Sequence, residues 1–170
     1  MATVSPPQPP TPAPAWTYAL HLPHDPRSPR IARATLRTVL SAHGLSVLND
    51  VAELLTSELV TNAYRHSRGP AALRLRELDG GRGLRVTVWD TDAHIPPPFD
   101  RGERGRCGAL RPVPPTPAGE ADGGRGLFLV CHYAHAWGGY LLGDDLFGRG
   151  GKLLWFELGA GRPGEWAVAA

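Results

Sequence analysis

Sixteen of the eighteen prolines fall in two windows, nine within residues 1–30 and seven between Thr91 and Gly123. Proline fixes φ and removes a backbone donor, so neither window can run far as helix or central strand. Regular structure is pushed into the stretches between. Residues 1–15 read as a disordered or polyproline tail. Residues 16–160 read as one domain and 161–170 as a short C-terminal tail. Residues 91–123 carry Pro96–Pro98, Arg101, Arg104, Arg106 and Pro112–Pro117, and read as one long loop. Inside a compact domain such a loop is commonly a lid or disordered.

Composition narrows the function classes. The chain is 42% hydrophobic, enough for one packed core. Its 18 basic and 16 acidic residues leave a formal charge of +2, which makes no electrostatic case for direct nucleic-acid or membrane binding. Of those basic residues 17 are arginine and only Lys152 is lysine, a bias that says nothing about partners. Two cysteines, Cys107 and Cys131, cannot build a disulfide framework, so a reduced, cytoplasmic protein is expected. No run of about 18 apolar residues suggests a membrane span. The N-terminus lacks the basic and apolar regions of a secretory signal.

The remaining segments read as alternating elements. Trp16–Leu22 is a first strand, ended by Pro23. A helix from Ser28 or Pro29 to about His43 places Ala32, Leu36, Val39 and Leu40 on one face, and Gly44 stops it. A second helix, capped by Asn49 or Asp50, runs to about Ser67. Leu73–Leu78 and Leu84–Asp90 form a hairpin around Asp79–Gly80–Gly81. Gly126–Ala136 is a third helix with Leu127, Val130, Cys131 and Ala134 on one face; Trp137–Leu142 and Lys152–Leu158 are two last strands. The order predicts an α+β fold: a two-layer α/β sandwich with a mixed, mainly antiparallel sheet and helices on one face.

Three places put polar residues where apolar ones belong. In the second helix Val51, Leu54, Leu55 and Leu59 form the expected core stripe, and heptad extension from Val51 and Leu55 leads to Glu58 and Asn62. These two are i and i+4 neighbours, so their heads lie close. Either they sit at the stripe's edge in solvent, or they form a metal–phosphate site, with Asn62 an oxygen ligand for a hard cation and Glu58 a general base. Asp90 falls on the same strand face as Leu84, Val86 and Val88. It is either a strand-end turn residue or an acceptor for a ligand amine. Asp122–Gly123–Gly124–Arg125–Gly126–Leu127 opens the third helix directly after the long loop. Glycines there let a phosphate approach backbone N–H groups at a helix N-terminus, although a lone G-x-G-L is a weak signal.

Together these sites resemble the bacterial anti-sigma-factor serine/threonine kinases, within the histidine-kinase-like (Bergerat-fold) ATPases. The likeness covers about residues 16–160. Ser57–His66 (SELVTNAYRH) is similar to the family's N box, Val86–Pro97 to its Asp-based adenine box, Gly123–Val130 (GGRGLFLV) to its second glycine box, and Gly151–Leu158 to its last strand. The resemblance implies ATP and Mg2+ as cofactors and 91–123 as the ATP lid. It implies that Glu58 activates the acceptor hydroxyl or a water, that Asn62 holds Mg2+ through the phosphates, and that Asp90 binds the adenine amino group. Gly124, Arg125, Gly126 and Leu127 would line the triphosphate. His66, four residues beyond Asn62, either reaches the phosphate end or lies on the surface. The implied partners are an anti-anti-sigma (STAS-type) protein, a sigma factor and, since the family often dimerises, a second copy. Two positions depart from the family pattern. Asp90 is followed by Thr91, Asp92, Ala93 and His94 where the family has D-x-G-x-G, and Leu153 aligns with a Thr of the last strand.

Two function classes follow: an ATP-dependent protein serine kinase in a sigma-factor partner switch, or a catalytically weak or inactive ATP-binding, even ATP-free, module that sequesters a partner. A sensor histidine kinase fragment fits less well, because the chain shows neither a dimerisation helix pair nor a phosphoacceptor motif. Cys131, His132 and His135 do not make a zinc site, because only Cys131 and His135 share a helix face. The arginines of residues 101–111 are matched by neighbouring acids and read as a solvated mixed loop, or as one guanidinium reaching a γ-phosphate.

Overall fold

The computed structural model describes residues 16–78, 80–97, 99–101, 105–106, 125–143 and 150–159. The two expected tails, and most of the expected lid, lie outside the described residues. The elements are β1 (Thr17–Leu22), α1 (Ser28–Ala42), a 3-10 turn (Ser46–Leu48), α2 (Asn49–His66), β2 (Ala71–Leu78), β3 (Gly83–Asp90), a second 3-10 turn (Phe99–Arg101), β4 (Gly105–Arg106), α3 (Arg125–Tyr133), β5 (Ala136–Leu142) and β6 (Gly151–Gly159). The six strands form one sheet in the order β1-β2-β3-β6-β5-β4. Every described pairing is antiparallel, so the expected mainly antiparallel sheet has no parallel pair among the described strands.

Alternation along the strands separates two faces. Leu73 and Leu75 of β2, Leu84, Val86 and Val88 of β3, and Leu154, Phe156 and Leu158 of β6 are buried on one face. The helices close over that face. Ala32, Leu36, Val39 and Leu40 of α1 and Leu127, Val130 and Cys131 of α3 are all buried, as the helical spacing predicts, and so is Ala134, although α3 ends at Tyr133, short of the expected Ala136. Each fully buried leucine contributes about 2 kcal/mol by removal from water, so this shared core dominates the fold's stability. Two cross-links hold α1 to α2. Arg33 Nη1 donates to Ser57 Oγ at 2.7 Å, and Arg37 grips Glu53 with two bonds of 2.7 and 2.6 Å. The Arg37 guanidinium holds the Glu53 carboxyl below the usual carboxylate range. Gly44, at φ +72°, ends α1 in the left-handed region, as expected.

Burial pushes the Cys131 thiol up to about 12, so it is a core residue and not a metal-ready thiolate. His135 is engaged otherwise, its Nδ1 accepting from the Gly159 N–H at 2.7 Å. The described residues hold no cluster of three or more His, Cys, Asp and Glu able to bind a metal. No helix among them is long and apolar enough to cross a membrane.

Three sequence expectations change. Leu54 does not face the core; it is 39% exposed, and Ala52, Leu55, Leu59, Val60 and Ala63 carry the buried face of α2. The stripe is rotated because α2 is gripped by both α1 and α3, which the sequence of α2 alone does not encode. Neither Asn49 nor Asp50 caps α2 as expected. The helix grows out of the 3-10 turn with Leu48 at its cap position and no side-chain cap bond. Finally, the start of the 91–123 segment is anchored. Phe99 is buried and packs on Trp137 with ring centroids 5.1 Å apart, and β4 pairs with Trp137 and Ala136 of β5.

Candidate functional site

One face of α2 gathers Glu58, Thr61, Asn62, Arg65 and His66, spaced i, i+3, i+4, i+7 and i+8. With Gly126 and Leu127 at the start of α3 they line a single small cavity. Asn62 is buried, and its Oδ1 has no hydrogen-bond partner among the described residues. Leaving a buried carbonyl oxygen unpaired costs about 1–3 kcal/mol, so this acceptor is suited to a group that enters the cavity. Glu58 is partly exposed, and its carboxylate lies over the α-carbon of Gly126, where a Cβ would run into Glu58 Oε2. Only glycine lets α3 begin this close to the carboxylate.

Of the expected site residues, the structure therefore brings Glu58, Asn62, His66, Gly126 and Leu127 together. His66 is exposed and lines the cavity. Gly124 and the Arg125 side chain lie outside the described residues. Thr61 and Arg65 also line the cavity and were absent from the sequence expectation. Their i+3 and i+7 spacing from Glu58 was the available signal.

Asp90 stands at a second centre, at the end of β3. The chain joins the two centres directly. Ser67, just beyond α2, shares a 3.2 Å hydroxyl hydrogen bond with Thr91, the residue after Asp90. A Cβ on Gly69 would meet the Thr91 side chain, so this crossing is also a glycine position.

Asp90 is 1% exposed on the core face, as its strand parity predicts. Its cross-strand neighbour in β6 is Lys152, whose side chain is wholly buried. Lys152 Nζ donates to Asp90 Oδ1 at 3.0 Å and to Asp92 Oδ2 at 2.6 Å. The Asp92 N–H donates to the same Asp90 Oδ1 at 2.9 Å, and the His94 N–H donates to Asp92 Oδ1 at 3.1 Å. A carboxylate on each side thus holds one buried ammonium. Burial pushes the Asp90 carboxyl above its ordinary value, and the Lys152 hydrogen bond only partly opposes this. Asp92 is more exposed. Burial pulls it upward too, but the Lys152 and His94 hydrogen bonds prevail and hold it below the usual carboxylate range.

The residue facing Asp90 is therefore not Leu153. Leu153 pairs with Trp89 and points to the other side of the sheet, because the β3–β6 register sets Asp90 opposite Lys152. On that other side Leu153 lines a groove of about 640 Å3 with Arg74, Arg85, Trp89 and Tyr140, away from Glu58 and Asn62.

Gly151 completes this end. It lies at φ +141°, and a Cβ there would strike the Asp90 carbonyl oxygen. Gly151→Ala is expected to lower stability by about 2–4 kcal/mol through backbone strain and overpacking, read by urea unfolding. A loss below about 1 kcal/mol would show that the β3–β6 end yields without strain.

A family model described as histidine kinase-like ATPase domain matches residues 22–137, which span β1's last residue through the start of β5 and include Glu58, Asn62, Asp90 and Gly126 but end before Lys152. None of the curated proteins matches the chain.

Proposed function

The chain belongs to the histidine kinase-like ATPase domain family, and from that premise we propose that it is an ATP-binding regulatory protein of the anti-sigma serine/threonine kinase type. In this reading it acts in the cytoplasm and phosphorylates a serine of an anti-anti-sigma (STAS-type) partner, which in turn governs a sigma factor. The observation that carries the reading is the orphaned Oδ1 of Asn62, in the same small cavity as Glu58 and the glycine that opens α3.

The residues fit the phosphate end of Mg-ATP. The unpaired Asn62 oxygen suits a hard cation. The first turn of α3, kept open by Gly126, offers backbone N–H groups and the positive end of a helix dipole to phosphate oxygens. Bound Mg2+ would neutralise charge on the phosphates and hold them for transfer. In this reading Glu58 accepts the proton of an attacking hydroxyl, a role supported by its carboxylate lying over the start of α3. His66 and Arg65 stand at the rim, where charge meets the triphosphate. Asp90 would lie at the base end.

One observation favours the second reading, a module that binds its partner without efficient transfer. The carboxylate assigned to the base already holds Lys152 and is nearly inaccessible. Two experiments separate the readings. Titration calorimetry with Mg-ATP is expected to give measurable binding; no heat and no thermal shift at millimolar nucleotide would reject the nucleotide site. Radiolabelled ATP with candidate anti-anti-sigma proteins is expected to label a partner serine. A stable, unlabelled complex would select the module.

A further inference from the structure

We propose that Lys152 determines base selectivity: by engaging Oδ1 of the Asp90 carboxylate and closing over it, Lys152 weakens the acceptor that would select adenine, so purine nucleoside triphosphates are held by their phosphates with little discrimination between adenine and guanine. This inference rests on the nucleotide site proposed above.

An ionised carboxylate is an acceptor only, and it recognises an exocyclic amino group only if an oxygen lone pair is open to the ligand. At Asp90 one of the two oxygens is already taken and the carboxylate is deeply buried. Oδ1 receives two donors, Lys152 Nζ at 3.0 Å and the Asp92 N–H at 2.9 Å. The whole side chain is only 2% exposed, which leaves little surface for a base to approach. The ammonium cannot replace the lost contact by donating to a guanine carbonyl, because it too is inaccessible, at 0%. Asp92 fixes the arrangement from the far side at 2.6 Å, so Lys152 is held at two points. Gly151 lets β6 press its backbone against the Asp90 carbonyl and so seats the next residue, Lys152, opposite the carboxylate. The phosphate end shares no residue with this clamp. Asn62, Glu58 and Gly126 belong to α2 and α3, whereas the clamp is built from β3, β6 and the turn after β3.

Lost recognition of one amino group by a charged acceptor is worth roughly tenfold or more in affinity. The test is competition by Mg-ATP, Mg-GTP and the Mg complex of purine riboside triphosphate, which lacks the 6-amino group, against a fluorescent ATP analogue on the full chain. The wild type is expected to bind all three within about threefold. A preference for ATP of about tenfold or more over either analogue would overturn the proposal, with the nucleotide site intact. In Lys152→Met, checked for folding by circular dichroism, the released Asp90 is expected to raise the ATP preference by about tenfold. A folded variant as unselective as the wild type would overturn the assignment to Lys152. Failure of every nucleotide to compete or bind would reject the site itself and this inference with it. The purine riboside comparison needs no variant, so the proposal stays testable if Lys152→Met does not fold.

Discussion

Glu58→Ala is expected to bind Mg-ATP with wild-type affinity within a few-fold and to lose about 10²–10⁴-fold in phosphoryl transfer. The asymmetry follows from geometry. Asn62, with its unpaired oxygen, and the opening turn of α3 remain in place when Glu58 is shortened, so the groups assigned to phosphate binding survive. What disappears is a carboxylate lying over Gly126, the only acidic side chain lining that cavity among the described residues. Glu58 is partly exposed and lies off the buried face of α2, so its truncation opens little core volume. Binding by calorimetry and single-turnover transfer from labelled ATP measure the two effects separately. Transfer at the wild-type rate would remove Glu58 from the chemistry. Lost binding with unchanged turnover would make it a ligand and not a base.

Lys152→Met is expected to destabilise the fold by about 3–5 kcal/mol, because it strands a buried carboxylate that the ammonium had satisfied. For a domain of this size that is a fall in Tm of roughly 6–20 °C. The effect has a predictable pH dependence. Asp90, raised in the folded state, contributes stability that is present below its unfolded pKa and lost as pH rises through its folded value. Without Lys152 the burial that raises it is opposed less, so its folded value climbs further. Asp92, lowered in the folded state, contributes stability that is present above its unfolded pKa and lost as pH falls through its folded value. Much of that second contribution comes from Lys152 and goes with it. The Asp90 shift makes the penalty grow as pH rises above the ordinary carboxylate range, whereas the Asp92 shift acts only as pH falls into that range. Denaturant melts across and above that range measure it, and a penalty that grows on acidification would contradict the charge assignment. Adding Asp90→Asn to Lys152→Met should restore part of the loss, since no unpaired charge then remains in the core.

Much of the fold is legible in the sequence. The buried faces of α1 and α3, the β2–β3 hairpin and the inward parity of Asp90 all follow from short-range periodicity, and short-range periodicity was enough. Glu58 and Asn62 were reached by a heptad extension although Leu54, in the same stripe, points outward. That error arose because the facing helices, not the spacing within α2, decide which side is centred on the core. Lys152 was hidden for a different reason. Its importance depends on a register between strands 60 residues apart in sequence, and a shift by one residue changes which face is read. Aligning by resemblance pointed to Leu153 on the wrong face; counting β6 against Asp90 gives the lysine. The anchoring of Phe99 against Trp137 is likewise a long-range contact with no local signature.

The burial of Lys152 has a practical consequence for labelling chemistry. The chain contains one lysine, and the fold withdraws its ammonium wholly from solvent. Amine-directed reagents therefore meet no side-chain target on the folded surface, and acylation at Lys152 requires the β3–β6 end of the sheet to open. The rate of that acylation is a direct clock for opening at this end of the sheet. Arginine-directed or carboxylate-directed cross-linkers, not amine-directed ones, suit a search for the protein's partner.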